Sequence, residues 1–143
     1  MVNRKNIFFP LIVVLVLLSD QLFKSLVAGM KEPIHIAGEY LKITFAKNIG
    51  ATFGLFKGEV WLFIVISILV ISFIICYYEN ISLKHYPYAA LILGGALSNL
   101  ADRIRFGYVI DYINVKYWSV FNVADAALTI GALVLVYLII REK

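Results

Sequence analysis

The chain of 143 residues is 62% hydrophobic and 15% charged, with a mean hydropathy of +0.90 and a formal net charge of +4. A soluble domain is about 45–50% apolar and about 25% charged, and disorder needs low hydrophobicity with high net charge, so both classes are excluded. The lone Cys76 excludes an internal disulfide and a CxxC metal site.

What remains is a small polytopic membrane protein, with room for at most about four or five spans of about 20 residues each. The modest positive charge suits flanks facing anionic lipid and does not suggest a nucleic-acid partner. The first apolar segment covers 7–28. Arg4, Lys5 and the apolar run behind them imitate a secretory signal. The sequence Ser19-Asp20-Gln21-Leu22-Phe23-Lys24 that follows is not a small-residue cleavage site, so a span is the better reading. In the next segment, 29–60, Leu41, Ile43 and Phe45 alternate with Lys42, Thr44 and Ala46. This period of two predicts a strand, and hence a small sheet lying on the membrane. The second span, 61–78, has no charge and carries Trp61, Tyr77 and Tyr78 at its ends, where interfacial aromatics belong. A short polar link, 79–85, leads to a third span at 86–104. A mixed outer loop, 105–121, with Tyr108, Tyr112, Tyr117 and Trp118, precedes the fourth span at 123–140. The expected architecture is therefore an all-α polytopic membrane protein, four helices with one small sheet, forming a single unit over 1–143. Cys76, within span two, reads as an apolar filler. The positive-inside count does not favour termini on the cytoplasmic side.

The acids are sorted by type. All five glutamates lie in loops or at a terminus, whereas Asp20, Asp102 and Asp125 lie in or at the end of apolar spans. Asp111 sits in the apolar stretch Tyr108-Val109-Ile110-Asp111-Tyr112-Ile113, read as part of the outer loop. A carboxylate at bilayer depth costs several kcal/mol and is a functional hypothesis by default. Alternating helix direction brings all four aspartates to one membrane face, together with Asn48, Asn99 and Asn122. Asn99-Leu100-Ala101-Asp102 and Asn122-Val123-Ala124-Asp125 repeat one spacing, which sets Asn and Asp on one helix face. Small residues around them, Gly94, Gly95, Ala96, Ser98, Ala124 and Ala127 among them, permit close helix approach. Local readings compete at each position. Asn122 is a natural N-cap with Asp125 in the first turn, Asp20 can pair with Lys24 one turn on, and Asp102 can pair with Arg103 or Arg105.

Two carboxylates held close in a low dielectric cannot both ionise, so such a pair shares a proton and serves as both general base and general acid. That is aspartic peptidase chemistry. No HExxH or Gly-x-Ser-x-Gly is present, and no metal or cofactor is expected. A proton-coupled transporter is the rival reading. It needs ionisable groups near the midplane or on both faces, whereas here they collect on one. A purely structural subunit leaves the aspartates without a reason.

Five ordered motifs resemble the lipoprotein signal peptidase (signal peptidase II) family. Asp20-Gln21-x-x-Lys24 is similar to its D-Q-x-x-K, and Asn48-Ile49-Gly50-Ala51-Thr52-Phe53-Gly54 to its N-x-G-A-A-F. Gly94-Gly95-Ala96-Leu97-Ser98-Asn99-Leu100-Ala101-Asp102-Arg103 is similar to G-G-A-x-x-N-x-x-D-R. Gly107-Tyr108-Val109-Ile110-Asp111-Tyr112 and Phe121-Asn122-Val123-Ala124-Asp125 are similar to G-x-V-x-D-F and F-N-x-A-D. The resemblance implies four transmembrane helices with an extracytoplasmic β-rich cradle, cytoplasmic termini and residence in the bacterial cytoplasmic (inner) membrane. It implies Asp111 and Asp125 as the catalytic pair. Asp20, Lys24, Asn48, Gly50, Asn99, Asp102, Arg103 and Asn122 would support the pair or the substrate. The implied substrate is a diacylglyceryl-modified prolipoprotein cut before its lipidated cysteine. Membrane lipid and globomycin-type inhibitors are the other expected partners, and the enzyme is expected to be a monomer. Thr52 and Tyr112 depart from the family pattern, and the connection 114–120 is short, which bears on substrate fit. Because Asp125 opens a helix, the dipole there is expected to favour its charged form over that of Asp111.

Overall fold

The computed structural model describes residues 4–50 and 58–142, with side chains from Ile7 onward. The segment containing Thr52 lies outside the described residues. Four helices, α1 (Arg4–Val27), α2 (Val60–Cys76), α3 (Tyr86–Phe106) and α4 (Val123–Arg141), alternate with three strands, β1 (Ile34–Ala37), β2 (Leu41–Asn48) and β3 (Val109–Val115). The helices match the apolar segments to within a few residues. The strands form one antiparallel sheet in the order β1-β2-β3.

α3 is the central helix, packed against α1, α2 and α4. Glycines make this possible. A Cβ on Gly94 would stand 2.9 Å from Val16 Cβ of α1, and one on Gly95 would stand 2.5 Å from the Ala124 carbonyl oxygen of α4. Gly95→Ala is therefore expected to push the start of α4 away from α3. An overpacking cost of about 1–3 kcal/mol should appear as a lower unfolding midpoint in detergent, along with reduced activity. An unchanged midpoint would show that α4 yields without strain.

Local chemistry sets the boundaries. Pro87 stands in the first turn of α3, where its missing N–H costs nothing. Arg103 and Arg105 occupy the last turn, as the helix dipole favours. Gly107 ends the helix in a left-handed conformation at φ 75°, its N–H donating to the Arg103 carbonyl. That conformation suits glycine, and it turns the chain directly into β3. Within β3, Val109, Ile110, Asp111 and Tyr112 are all buried. Ile110 and Tyr112 pack with Val27 at the end of α1, and Phe23 stacks on the Tyr112 ring at 5.8 Å between centroids. Beyond a turn the chain returns at Phe121, which exchanges backbone hydrogen bonds with Ile113 at 2.7 and 3.0 Å. Asn122 and α4 therefore start beside β3.

Two readings need correction. Asp111 lies on a paired strand, opposite Ala46 of β2, and not in a loop. Cys76 is exposed at the last residue of α2 and fills no core position.

Candidate active site

The seven polar residues singled out in the sequence, Asp20, Asp102, Asp111, Asp125, Asn48, Asn99 and Asn122, belong to one continuous hydrogen-bonded network at the junction of α1, β2, α3, β3 and α4. It has two halves.

In the first half, Lys24 is 2% exposed and Asp20 is fully buried. The ammonium lies 2.7 Å from Asp20 Oδ2 and 2.9 Å from Asp102 Oδ2, and donates to Asn99 Oδ1 at 2.9 Å. All three of its donors are thus used. Asp20 also accepts from Ser98 Oγ at 2.7 Å, from the Tyr112 hydroxyl at 3.0 Å and from the Ala124 N–H at 3.1 Å. Asp102 accepts from Gln21 Nε2 at 2.9 Å and from the Ile110 N–H at 3.0 Å. Every partner of the two carboxylates is a donor, which suits ionised groups tied to a lysine. The expected Asp20–Lys24 pair is present. Asp102 pairs with the same Lys24 and does not turn to Arg103 or Arg105, because α1 supplies a buried ammonium across the helix interface.

The second half holds Asp111 and Asp125. Asp111 accepts from Asn48 Nδ2 at 2.8 Å and from Asn122 Nδ2 at 2.7 Å. Asn48 is itself held by the Gly50 N–H, which donates to its Oδ1 at 3.0 Å, a local Asx turn. Asp125 accepts from Asn99 Nδ2 at 2.8 Å and from the Asn122 N–H at 3.3 Å, while its own N–H donates to Asn122 Oδ1 at 2.7 Å. The last two bonds form a capping box, so the local reading and the functional one coincide at these positions. Asn122 holds both candidate aspartates at once. The Asn99 carbonyl oxygen accepts from Asn122 Nδ2 as well as from Lys24, at 3.2 Å, and joins the halves.

Exposure differs between the pair. Asp111 is 2% exposed, while Asp125 is half-buried and lines a 190 Å³ cavity together with Phe63, Ser67, Asn99, Arg103 and Leu128. Arg103 sits on the cavity wall with its guanidinium 5.1 Å from the centre of the Phe63 ring. Burial, and next the nearby charge of Asp125, raise the Asp111 carboxyl from its ordinary 3.8 to about 7; the amides of Asn48 and Asn122 and the charge of Lys24 oppose this. Burial and the adjacent Asp20 also push the Tyr112 phenol up, so it remains a donor. Among the described residues no group of three or more metal-ligating side chains is present.

Three contributors were not among the predicted site residues. Gln21 and Ser98 flank predicted positions and bond to each other at 3.0 Å. Tyr112, noted only as an interfacial aromatic and a family departure, joins Asp20 to the Val123 N–H at the mouth of α4.

The chain is similar to known proteins over most of its length. The family model described as signal peptidase (SPase) II matches residues 12–141. A lipoprotein signal peptidase of Halothermothrix orenii is 43% identical over 143 residues, covering 93% of this chain and 96% of that protein. The lipoprotein signal peptidase of Caldanaerobacter subterraneus is 41% identical over 137 residues, covering 90% and 93%. Two solved structures described as a bacterial membrane enzyme superpose with TM-scores of 0.88 and 0.85 at 27% and 28% identity. The first match covers 94% of this chain and 88% of the solved one, the second 95% and 94%.

Proposed function

The chain belongs to the signal peptidase II family, aspartic peptidases that remove signal peptides from prolipoproteins; from that premise we propose that Asp111 and Asp125 are its catalytic pair. The observation that carries the assignment is Asn122, whose side chain and backbone bind both carboxylates, beside a cavity that Asp125 faces. Asp20 and Asp102 are spent on Lys24 and five further donors and have no open face. Asp125 acts as the base, in keeping with its place at a helix N-terminus, and Asp111 holds the proton. Water bound in the cavity gives a proton to Asp125 as its oxygen attacks the scissile carbonyl carbon. The carbonyl oxygen takes the proton from Asp111. The resulting gem-diol collapses, the C–N bond breaks, the leaving amine takes the proton held by Asp125, and Asp111 recovers one from a diol hydroxyl. Protein-held donors around both carboxylates keep the pair oriented without reorganisation.

The substrate is a prolipoprotein whose cysteine carries diacylglyceryl, cut before that cysteine. The chain crosses the bacterial cytoplasmic membrane four times as a single unit, with cytoplasmic termini and the sheet outside. Two helical stretches, Ile7–Val27 and Val123–Arg141, are long and apolar enough to span. α2 is 17 residues with no charge among them, about 26 Å long. α3 reaches a similar length and carries its charges only at the aspartate end. Leu18, Leu69, Leu133 and Ile140 are among many large apolar side chains left exposed, a surface suited to contact with lipid. The enzyme works as a monomer and binds globomycin-type inhibitors at this site. The test is incubation of the purified protein with diacylglyceryl-modified prolipoprotein and with its unlipidated form. Cleavage before the cysteine of the lipidated form alone supports the reading; no cleavage of either sinks it and returns the transporter.

The raised Asp111 carboxyl sets a pH dependence. Its protonated form is favoured by the fold, so its contribution to stability is fully present below 3.8 and is lost as pH rises through about 7. The proton needed for the reaction is lost over the same upper range. kcat/KM is expected to fall as pH rises through about 7, and the unfolding midpoint to drift down with it. A midpoint that rises between pH 5 and 8 in wild type, or a slope that survives in Asp111→Asn, would remove Asp111 as the proton carrier.

A further inference from the structure

The two bridging amides can each point two ways, and only one way serves the aspartates. Asn99 must turn its Nδ2 toward Asp125, and Asn122 must turn its Nδ2 toward Asp111. The Asn122 amide is already held by the Asp125 N–H, which donates to its Oδ1; the Asn99 amide is not held by Asp125 throughout the reaction, because that carboxyl, once protonated, accepts or donates and would tolerate either face. Lys24 breaks the tie. Its ammonium is donor-only, two of its bonds go to Asp20 and Asp102, and the third goes to Asn99 Oδ1. With Asn99 flipped, an NH₂ would face the ammonium. The Asn99 oxygen in turn accepts from Asn122 Nδ2, which favours the Asn122 orientation that donates to Asp111. We propose that Lys24 is a positioning residue whose third N–H fixes the orientation of the Asn99 amide and so keeps its donor on Asp125. This rests on the reading of Asp111 and Asp125 as the catalytic pair.

Lys24 never touches the two aspartates through its own hydrogen bonds; it acts through Asn99. The charged and titratable groups around the network are Asp20 on α1, Asp102 and Arg103 on α3, Asp111 and Tyr112 on β3, and Asp125 on α4. The decisive comparison is between Lys24→Gln and Lys24→Met. Both remove the same charge and leave the same two carboxylates unpaired. Only glutamine can still donate to Asn99 Oδ1.

Purified wild type, K24Q and K24M are assayed with lipidated prolipoprotein across pH, at matched folded fraction. K24Q is expected within about tenfold of wild type. K24M is expected at least about a hundredfold lower in kcat, the scale of a small misplacement of reacting groups. The acid limb of kcat/KM, which reports ionisation of the base, should also lie at higher pH in K24M than in K24Q, because Asp125 loses a donor that favours its charged form. Equal activity and superimposable pH limbs in the two variants would overturn the proposal. If neither folds, Asn99→Asp in the wild-type background decides. It satisfies Lys24 with one oxygen and turns the other against Asp125. The proposal requires lost activity with a raised acid limb, and a wild-type profile refutes it. Asp125→Asn is run alongside. Retained cleavage there would fail the catalytic assignment itself, whatever the Lys24 variants do.

Discussion

Asp111→Asn and Asp125→Asn are each expected to lower the cleavage rate by about 10²–10⁴-fold, the scale of a lost general acid or base. The two substitutions keep volume and remove the ability to exchange the proton. They also misplace a donor. Both oxygens of Asp111 accept from amide nitrogens, and both oxygens of Asp125 accept, one from Asn99 Nδ2 and one from the Asn122 N–H. An asparagine at either position must therefore face one N–H with another. At Asp125 the loss includes half of a capping box, worth about 1 kcal/mol, so the unfolding midpoint should drop modestly while activity collapses. Rates and midpoints are measured on the same preparations. Near-wild-type cleavage by either variant would move the chemistry to Asp20 and Asp102, despite their enclosure.

The largest loss of stability is expected from Asp20→Ala. Removing one partner of a buried ion pair costs about 3–5 kcal/mol, because the remaining charge is left uncompensated. Here the alanine also strips acceptors from Ser98, Tyr112 and the Ala124 N–H. These partners come from α3, β3 and α4, so the damage spreads through every junction of the site. The exposed Lys42–Glu39 pair on the sheet is the control. Glu39 is exposed there and is held below its usual range chiefly by its hydrogen bond with Lys42, yet solvent screens such pairs. Glu39→Ala is expected to leave the midpoint unmoved. Equal midpoints for Asp20→Ala and wild type would mean that the buried ammonium is hydrated or neutral.

The helices were legible because long apolar runs leave little choice of structure, and β2 was legible because its period of two is clean. β3 was hidden for a physical reason. Val109, Ile110, Asp111 and Tyr112 are buried on both faces, so the strand has no polar side to alternate. β1 has only four residues, too few to show a period. Within the site, the convergence of the aspartates and asparagines followed from helix direction alone. Which carboxylate takes which partner did not follow. Sequence distance favours Arg103 for Asp102, but the fold brings in Lys24, whose burial depends on three other elements closing over it. Gln21, Ser98 and Tyr112 offered no signal by type, since their roles come from where the partner helices place acceptors.

The order of synthesis gives the Asp20–Lys24 pair a further consequence. Asn99 lies 75 residues beyond Lys24, and Ala124 lies 104 beyond Asp20. When α1 first meets the translocon, neither is yet made. A lone Asp or Lys costs about 2.5–3.5 kcal/mol at the centre of an entering helix, and less toward the end of α1 where Asp20 and Lys24 stand. One turn apart on the same helix, the two charges can neutralise each other and enter as a dipole. The later helices then convert that travelling pair into a fixed anchor. A chain stopped before α4 lacks the Ala124 N–H, Asn122 and Asp125, and it leaves the anchor half built inside the bilayer.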